Sequence, residues 1–323
     1  MPDYAMNATD LVAAYQTLRG DIRAVDYVSF SLPTTGIVGI AGESGCGKTT
    51  LIKVLYGLVE PPLKVVSGDI HVKTDGHNNL DLLKLSEEEI RKLRWKFFSY
   101  IPQASMGVLN PVMRIEEQFF DVMGRFGETS KPALRKQLSA YLDEFGLPHE
   151  VLRSFPHQLS GGMRQRVVIA IATILHPAIV FADEPTTALD VVVQRGVLQL
   201  ISDAQRSLEN LVVIVTHDMG VHYQTADMLI IMYAGKVVET GGTEETFEDP
   251  LHPYTKMLIG SLPKIGDKLR RKGISGSPPS FLNLPQGCRF HPRCPYAMPV
   301  CRKEEPHSIE ARNRRSVACH LLG

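Results

Sequence analysis

The chain has 323 residues, 44% of them hydrophobic and 22% charged, an ordinary globular composition that excludes a disordered or fibrous protein. That length suits about two domains, or one domain and a sizeable appendage. Thirty-five basic residues balance thirty-five acidic ones, so no global field draws the chain to nucleic acid or anionic lipid. The balance is uneven: residues 264–315 hold twelve Lys/Arg and four Asp/Glu, a local net of plus eight, which leaves minus eight for the rest. This shift marks a separate tail module. The longest apolar run, residues 167–175, is too short for a bilayer, and the first residues lack the basic and apolar regions of a signal peptide. A cytosolic chain is expected. Cys46 stands alone and the other four cysteines lie between Cys288 and Cys319. In a reducing compartment such a cluster suggests metal before disulfides.

In chain order, the first informative element is an apolar run at residues 37–41, the pattern of a buried parallel strand. Gly42-Glu-Ser44-Gly45-Cys46-Gly47-Lys48-Thr49 follows, matching G-x-x-x-x-G-K-[ST], and a helix is predicted from Thr50 to Tyr56, ended by Gly57. The glycines let backbone N–H groups turn inward around phosphate oxygens, and the helix presents the positive end of its dipole. Lys48 reaches the β- and γ-phosphates, and the Thr49 hydroxyl is a Mg²⁺ ligand. Residues 80–160 read as largely helical. Ser86 with Glu89 is a capping box opening a helix through residues 87–98, and further helices are predicted near 114–123 and 132–145. Leu159-Ser160-Gly161-Gly162-Met163 then precedes a helix with apolar residues at Val167, Ile171, Ile174 and Leu175. It is either an ordinary Ser N-cap or a second anion site, one that closes on a nucleotide held by another subunit. Residues 179–184 form a strand that delivers Asp183 to the metal shell and Glu184 to the attacking water, unless the two acids merely make ion pairs. The strand at 211–216 ends in His217, placed either for a γ-phosphate or as a structural histidine.

Taken in order, GESGCGKTT, IPQ at 101–103, LSGGMRQR, IVFADEPTTALD and VTHD resemble the ABC-type ATPase cassette over about residues 10–245. The resemblance implies an α/β P-loop NTPase core with an antiparallel β subdomain and a helical subdomain at about 86–160, the whole spanning 1–248. It makes Gln103 the residue that touches Mg²⁺ and couples to the membrane partner. Residues 159–163 become the signature acting in trans, 188–190 with Asp190 the loop at the dimer seam, and His217 the switch histidine. Tyr15 is the candidate aromatic for adenine, or a plain core tyrosine. Residues 103–119, with Met106, Val108, Leu109 and Val112, would face a membrane subunit, or pack only on the insert's own core.

The extension 249–323 opens with DPLHPYTKMLIGSLPK, which resembles the C-terminal region of the oligopeptide/dipeptide importer subfamily; LSGGMRQR and ADEPTTALDV are similar to its D-type ATPase. VVVQRGVLQL after the seam loop, TTG before Ile37 and QASMGVLNP after Gln103 depart from that pattern without removing a catalytic residue. A polar linker rich in Gly, Ser and Pro follows. Cys288, Cys294, Cys301 and Cys319 are then similar to the subfamily's tail that binds a [4Fe–4S] cluster, within a small irregular metal-stapled module. Zinc, helped by His291, His307 or His320, and four unmetallated thiols are the alternatives. The resemblance thus implies an ATP- and Mg²⁺-dependent hydrolase at the cytoplasmic face of the membrane, with no transmembrane segment of its own. It would power a di/oligopeptide importer through dimer closure, with oligosaccharide or nickel as alternative cargo. Its implied partners are a second ATPase (an F-type heterodimer before a homodimer), two permease subunits and, indirectly, an extracytoplasmic solute-binding protein, with no nucleic acid. A soluble ABC ATPase of translation or DNA maintenance ranks below, because the chain has one cassette and no heptads. A non-catalytic regulatory cassette also ranks below, because Lys48, Asp183, Glu184 and His217 are all present.

Overall fold

The computed structural model of the chain describes residues 4–74, 77–103, 107–124, 131–187, 189–262, 273–312 and 315–323. Met106, of the expected membrane-facing surface, and Ala188, of the expected seam loop, lie outside the described residues. The first half of the chain forms strands β1 (Met6–Thr17), β2 (Gly20–Leu32) and β3 (Gly36–Ala41), helix α1 (Lys48–Leu55), strands β4 (Leu63–Thr74) and β5 (His77–Asp81), then α2 (Glu87–Leu93) and β6 (Phe98–Ile101). Helices α3 (Ile115–Gly124), α4 (Lys131–Glu144) and α5 (Gly161–Thr173) follow, then β7 (Ile179–Asp183), α6 (Val191–Leu208) and β8 (Leu211–Val215). The remainder runs through α7 (Met219–Thr225), β9 (Met228–Tyr233), β10 (Lys236–Gly242), α8 (Thr243–Glu248), α9 (Pro253–Gly260), β11 (Ser308–Glu310) and β12 (Ser316–Ala318).

The described chain divides into two compact units. The first comprises residues 1–33, 37–84 and 215–323 and holds an antiparallel sheet in the order β2-β1-β4-β5. It also holds the strand run β11-β12-β10-β9-β3, in which β3 and β9 pair in parallel with Val38 opposite Met228. Val38, Ile40 and Ala41 are wholly buried, as is the run from Leu229 to Met232. Continuous apolar runs of this kind are what a parallel strand covered on both faces requires. The second unit, residues 34–36 and 85–214, holds β8-β7-β6 with α2 to α6. Its α5 is buried from Val167 to Thr173, while α6 buries only Val197, Leu198 and Ile201 on one stripe.

Two local expectations are corrected. The capping box at Ser86 forms, with the Ser86 hydroxyl accepting from Glu89 N and the Glu89 carboxylate accepting from Ser86 N. The helix it opens stops at Leu93, however, because Trp95 adopts a left-handed φ of 72° and Phe98, fully buried, enters β6 opposite Ile179. Strand pairing there overrides helix propensity. The tail, expected to be irregular throughout, supplies β11 and β12, and Val317 of β12 pairs with Glu239 of β10. Glu239 is wholly buried: its carboxylate accepts from Arg315 at 2.5 Å and from the backbone N–H groups of Leu251 and His252 at 3.0 and 2.9 Å.

Removing one partner of a buried ion pair leaves an unmatched charge out of water. Arg315→Ala is therefore expected to lower unfolding stability in urea by about 3–5 kcal/mol, far more than removal of an exposed arginine such as Arg302.

Candidate functional site

The nucleotide loop joins β3 to α1 in the first unit. Gly42 and Gly47 have φ of 150° and 108°, and a Cβ on them would lie 2.2 Å from the Met232 carbonyl and 2.1 Å from the Ala24 carbonyl. No other residue type fits this path. Lys48 is buried, and its Nζ donates to the carbonyls of Gly42 at 2.8 Å and Glu43 at 3.0 Å, bridging the loop. Ser44 and Gly45 lie exposed at the loop's crest, whereas Cys46 is buried and its thiol raised by that burial. Thr49 and Thr50 open α1, and the Thr50 hydroxyl lies 3.2 Å from the Tyr15 hydroxyl. Tyr15 thus stands beside the loop, half-buried on β1. His217 lies exposed between β8 and α7, whose N-terminus is capped by Asp218.

The second unit gathers the other expected residues. Asp183 is buried at the end of β7, where Oδ2 accepts from the Tyr100 hydroxyl at 3.2 Å. Glu184 follows with a φ of 46°, and its Oε2 accepts from Gln103 Nε2 at 3.0 Å and from the Thr187 hydroxyl at 2.8 Å. Gln103 and the two carboxylates therefore meet at the ends of β6 and β7. Ser160 is exposed and caps α5, accepting from Met163 N at 3.2 Å, with Gly161 to Met163 forming the helix's first turn. The capping role and the anion site draw on the same helix end, where free N–H groups and the dipole favour negative charge. Gly162 also packs closely, since a Cβ on it would lie 3.0 Å from the Val193 side chain of α6. Asp190 caps α6 through Val192 and Val193 N, and the neighbouring Val191 and Val192 are more than 80% exposed. Of the expected membrane-facing side chains, Val108 and Val112 are exposed but Leu109 is buried.

The four tail cysteines line a single small pocket in the first unit, together with His252, His291 and His320. Burial raises the Cys288 thiol to about 11, reinforced by the other three, and pushes Cys294 and Cys319 up as well. Among the described residues, no three His, Cys, Asp or Glu side chains stand as a group able to hold one metal ion.

Sequence reasoning missed Glu43, the second residue of the nucleotide loop. Its backbone N–H donates to the Tyr254 hydroxyl at 2.8 Å, and its carboxylate receives two hydrogen bonds from Arg293, at 2.6 and 2.9 Å. The only signal was the surplus of arginine in the tail. Buried His222 was also missed; a Cβ on Gly39 of β3 would strike it at 2.3 Å.

The pattern described as ABC transporter matches residues 25–187, and that described as oligopeptide/dipeptide transporter, C-terminal region, matches residues 238–301. The dipeptide transport ATP-binding protein DppD of Caldanaerobacter subterraneus is 42% identical over 97% of this chain and 95% of its own length. The chain belongs to the ABC transporter family. Within that family, the DppD protein of Bacillus subtilis is 40% identical over 98% of this chain and 94% of its own. The oligopeptide transport ATP-binding protein OppD of Escherichia coli is 37% identical over 94% and 89%. A dimeric ABC transporter cassette solved in a post-hydrolysis state with ADP and phosphate superposes with a TM-score of 0.64 at 26% identity, covering 74% of this chain and 98% of that one.

Burial pushes His222 and His252 down to about 4, so both stay neutral at pH 7. Neutral His252 Nδ1 accepts from Tyr254 N and caps α9, which protonation would forbid. Because unfolding returns each histidine to an ordinary value near 6.5, the unfolded chain binds more protons below that pH. Their contribution is complete above about pH 6.5 and is lost as pH falls toward 4. Urea unfolding across this range is expected to show that decline. His252→Asn, which keeps a capping acceptor without titrating, is expected to lessen its slope by one proton.

Proposed function

We propose that the chain hydrolyses ATP to drive import of di- and oligopeptides, as one of two cassettes that close on a pair of nucleotides. The observation that carries this reading is the tight loop between β3 and α1, which only glycine fits at 42 and 47 and which buried Lys48 bridges. Such a loop cradles a triphosphate, with Lys48 on the β- and γ-oxygens and Tyr15 against the base. Thr49, Gln103 and Asp183 would hold Mg²⁺, a hard cation that would offset the charge of the phosphate oxygens. Glu184 orients the attacking water and accepts its proton, and His217 steadies the γ-phosphate. Residues 159–163 grip the nucleotide held by the partner cassette, while Asp190 with exposed Val191 and Val192 lines the seam. The 36–42% identity to dipeptide and oligopeptide transport ATP-binding proteins along nearly the whole chain supports peptides as cargo. Residues 1–248 act as the cassette and 249–323 as its extension. A D-type chain of this kind pairs with an F-type ATPase and two permease subunits fed by a solute-binding protein. Peripheral attachment at the cytoplasmic face of the membrane is part of this reading; among the described residues no helix is long and apolar enough to cross a membrane.

For the tail, a [4Fe–4S] cluster held by Cys288, Cys294, Cys301 and Cys319 is favoured over zinc. All four cysteines line one pocket, although among the described residues no three His, Cys, Asp or Glu side chains are grouped to hold a metal ion. A cluster would supply a covalent staple to a segment with little core of its own.

Two experiments test these readings. Glu184→Gln is expected to keep ATP binding and form a stable closed dimer, while turnover falls by about 100-fold or more. Normal hydrolysis by that variant would remove Glu184 from the mechanism. Anaerobic purification is expected to give a broad absorbance near ~400 nm with about four irons per chain. Zinc without iron would overturn the cluster.

A further inference from the structure

The loop from Cys288 to Cys294 reads Cys-Arg-Phe-His-Pro-Arg-Cys, and three of its side chains pack against the nucleotide loop and the strands beside it. Arg293, adjacent to Cys294, forks onto both oxygens of Glu43 and is 5% exposed. Arg293 is itself fixed, donating through Nε to Ser275 O at 2.9 Å and through Nη1 to the Tyr233 hydroxyl at 3.3 Å. Arg289, adjacent to Cys288, donates to Asp26 and to the Ala234 carbonyl. The next residue, Gly235, passes its N–H to the Cys46 carbonyl inside the nucleotide loop at 2.9 Å. Between them Phe290 is fully buried, with its ring 5.1 Å from Tyr233 and 5.4 Å from Tyr254. Tyr254 completes the grip by accepting the Glu43 N–H.

Glu43 is therefore held by its backbone and by its side chain, in both cases from the extension. We propose that Arg293 and Tyr254 are positioning residues of the nucleotide loop: by fixing Glu43 they hold the loop in its phosphate-ready path and so set its affinity for the nucleoside triphosphate. Each acts through Glu43. A planar guanidinium on a carboxylate gives directional as well as electrostatic restraint, which a lysine in its place would not reproduce. Holding the loop in its bound path removes an ordering cost from binding, so loosening it weakens affinity more than it slows the chemical step. This inference rests on the ATPase reading.

The test uses the full chain, purified anaerobically, with a fluorescent ATP analogue for binding and steady-state hydrolysis for KM and kcat. Arg293→Met is expected to weaken nucleotide binding about 10-fold, with a matching rise in KM and kcat within about twofold. Tyr254→Phe removes only the hydroxyl from a ring that stays packed, and is expected to move Kd in the same direction by about threefold. Arg293→Lys is expected to recover only part of the loss. Glu43→Gln combined with Arg293→Met should be no worse than Arg293→Met alone, because both changes break one restraint. Should Arg293→Met fail to fold, Tyr254→Phe carries the decision. Parent-like affinity in the folded variants, or fully additive losses in the double variant, would overturn the proposal. A parent chain that binds no nucleotide at all would overturn the ATPase reading along with it.

Discussion

A carboxylate taken fully out of water must be met by donors on every side, and Glu239 sets that condition for the first unit. It sits on β10, the strand that β12 joins, and its oxygens accept from Arg315 and from the N–H groups of Leu251 and His252. One buried charge thus ties the last cassette strand, the turn before α9 and the tail strand together. With Leu251 and His252 pinned, His252 caps α9, Pro253 occupies its first turn where no N–H is needed, and Tyr254 is carried inward to Glu43. The His-Pro-Tyr segment is in this sense a mechanical link: cap, rigid start and buried hydroxyl in three consecutive residues. Desolvating a charge is costly, and the three donors on this carboxylate offset that cost.

The charge asymmetry along the chain takes on a structural meaning here. The tail's surplus of basic residues and the cassette's surplus of acidic ones meet in three buried or nearly buried pairs: Arg289 with Asp26, Arg293 with Glu43, and Arg315 with Glu239. These arginines are not a solvated basic face, nor are they free to offset the charge of a thiolate-bound cluster. Each is matched by a cassette carboxylate, and each adds a hydrogen bond to a backbone carbonyl: Ala234, Ile274 and Asp249, respectively. Arginine suits the task because its planar fork can satisfy a carboxylate and a carbonyl at once.

Local chemistry was well written in the sequence. Apolar runs of five or six residues became β3, β7 and β8, and the capping box at Ser86, the Ser160 cap and the glycine-rich loop all form where spacing placed them. Each of these signals lies within a few residues of its consequence. The misses have the opposite character. The helix opened at Ser86 ends early because Phe98 pairs with Ile179, about eighty residues away in the chain. Tail residues 308–310 and 316–318 carry no strong strand pattern and become strands because β10 offers an edge. Glu43 looked like filler in a motif defined by glycines and lysine. Its importance depends on Tyr254 and Arg293, more than two hundred residues later. Motif spacing encodes what a loop can bind, whereas what holds the loop still is encoded by long-range pairing that no local pattern displays.

A restraint of this kind works in both directions. If the extension lowers the cost of ordering the nucleotide loop, a bound nucleotide must by the same amount stabilise the grip of Tyr254 and Arg293 on Glu43. Arg293 is one residue from Cys294 and Arg289 is one residue from Cys288, so the cysteine loop and the anchors of the nucleotide loop share one short stretch of chain. The cysteine pocket and the phosphate loop are linked through Arg293 and Glu43, although their residues are far apart in sequence. An extension that only decorated the cassette would show none of these contacts. Its arginines would face water, and Tyr254 would pack as a ring with no use for its hydroxyl. The fully buried ring and the 2.8 Å bond to Glu43 N instead make the extension part of the nucleotide site's framework.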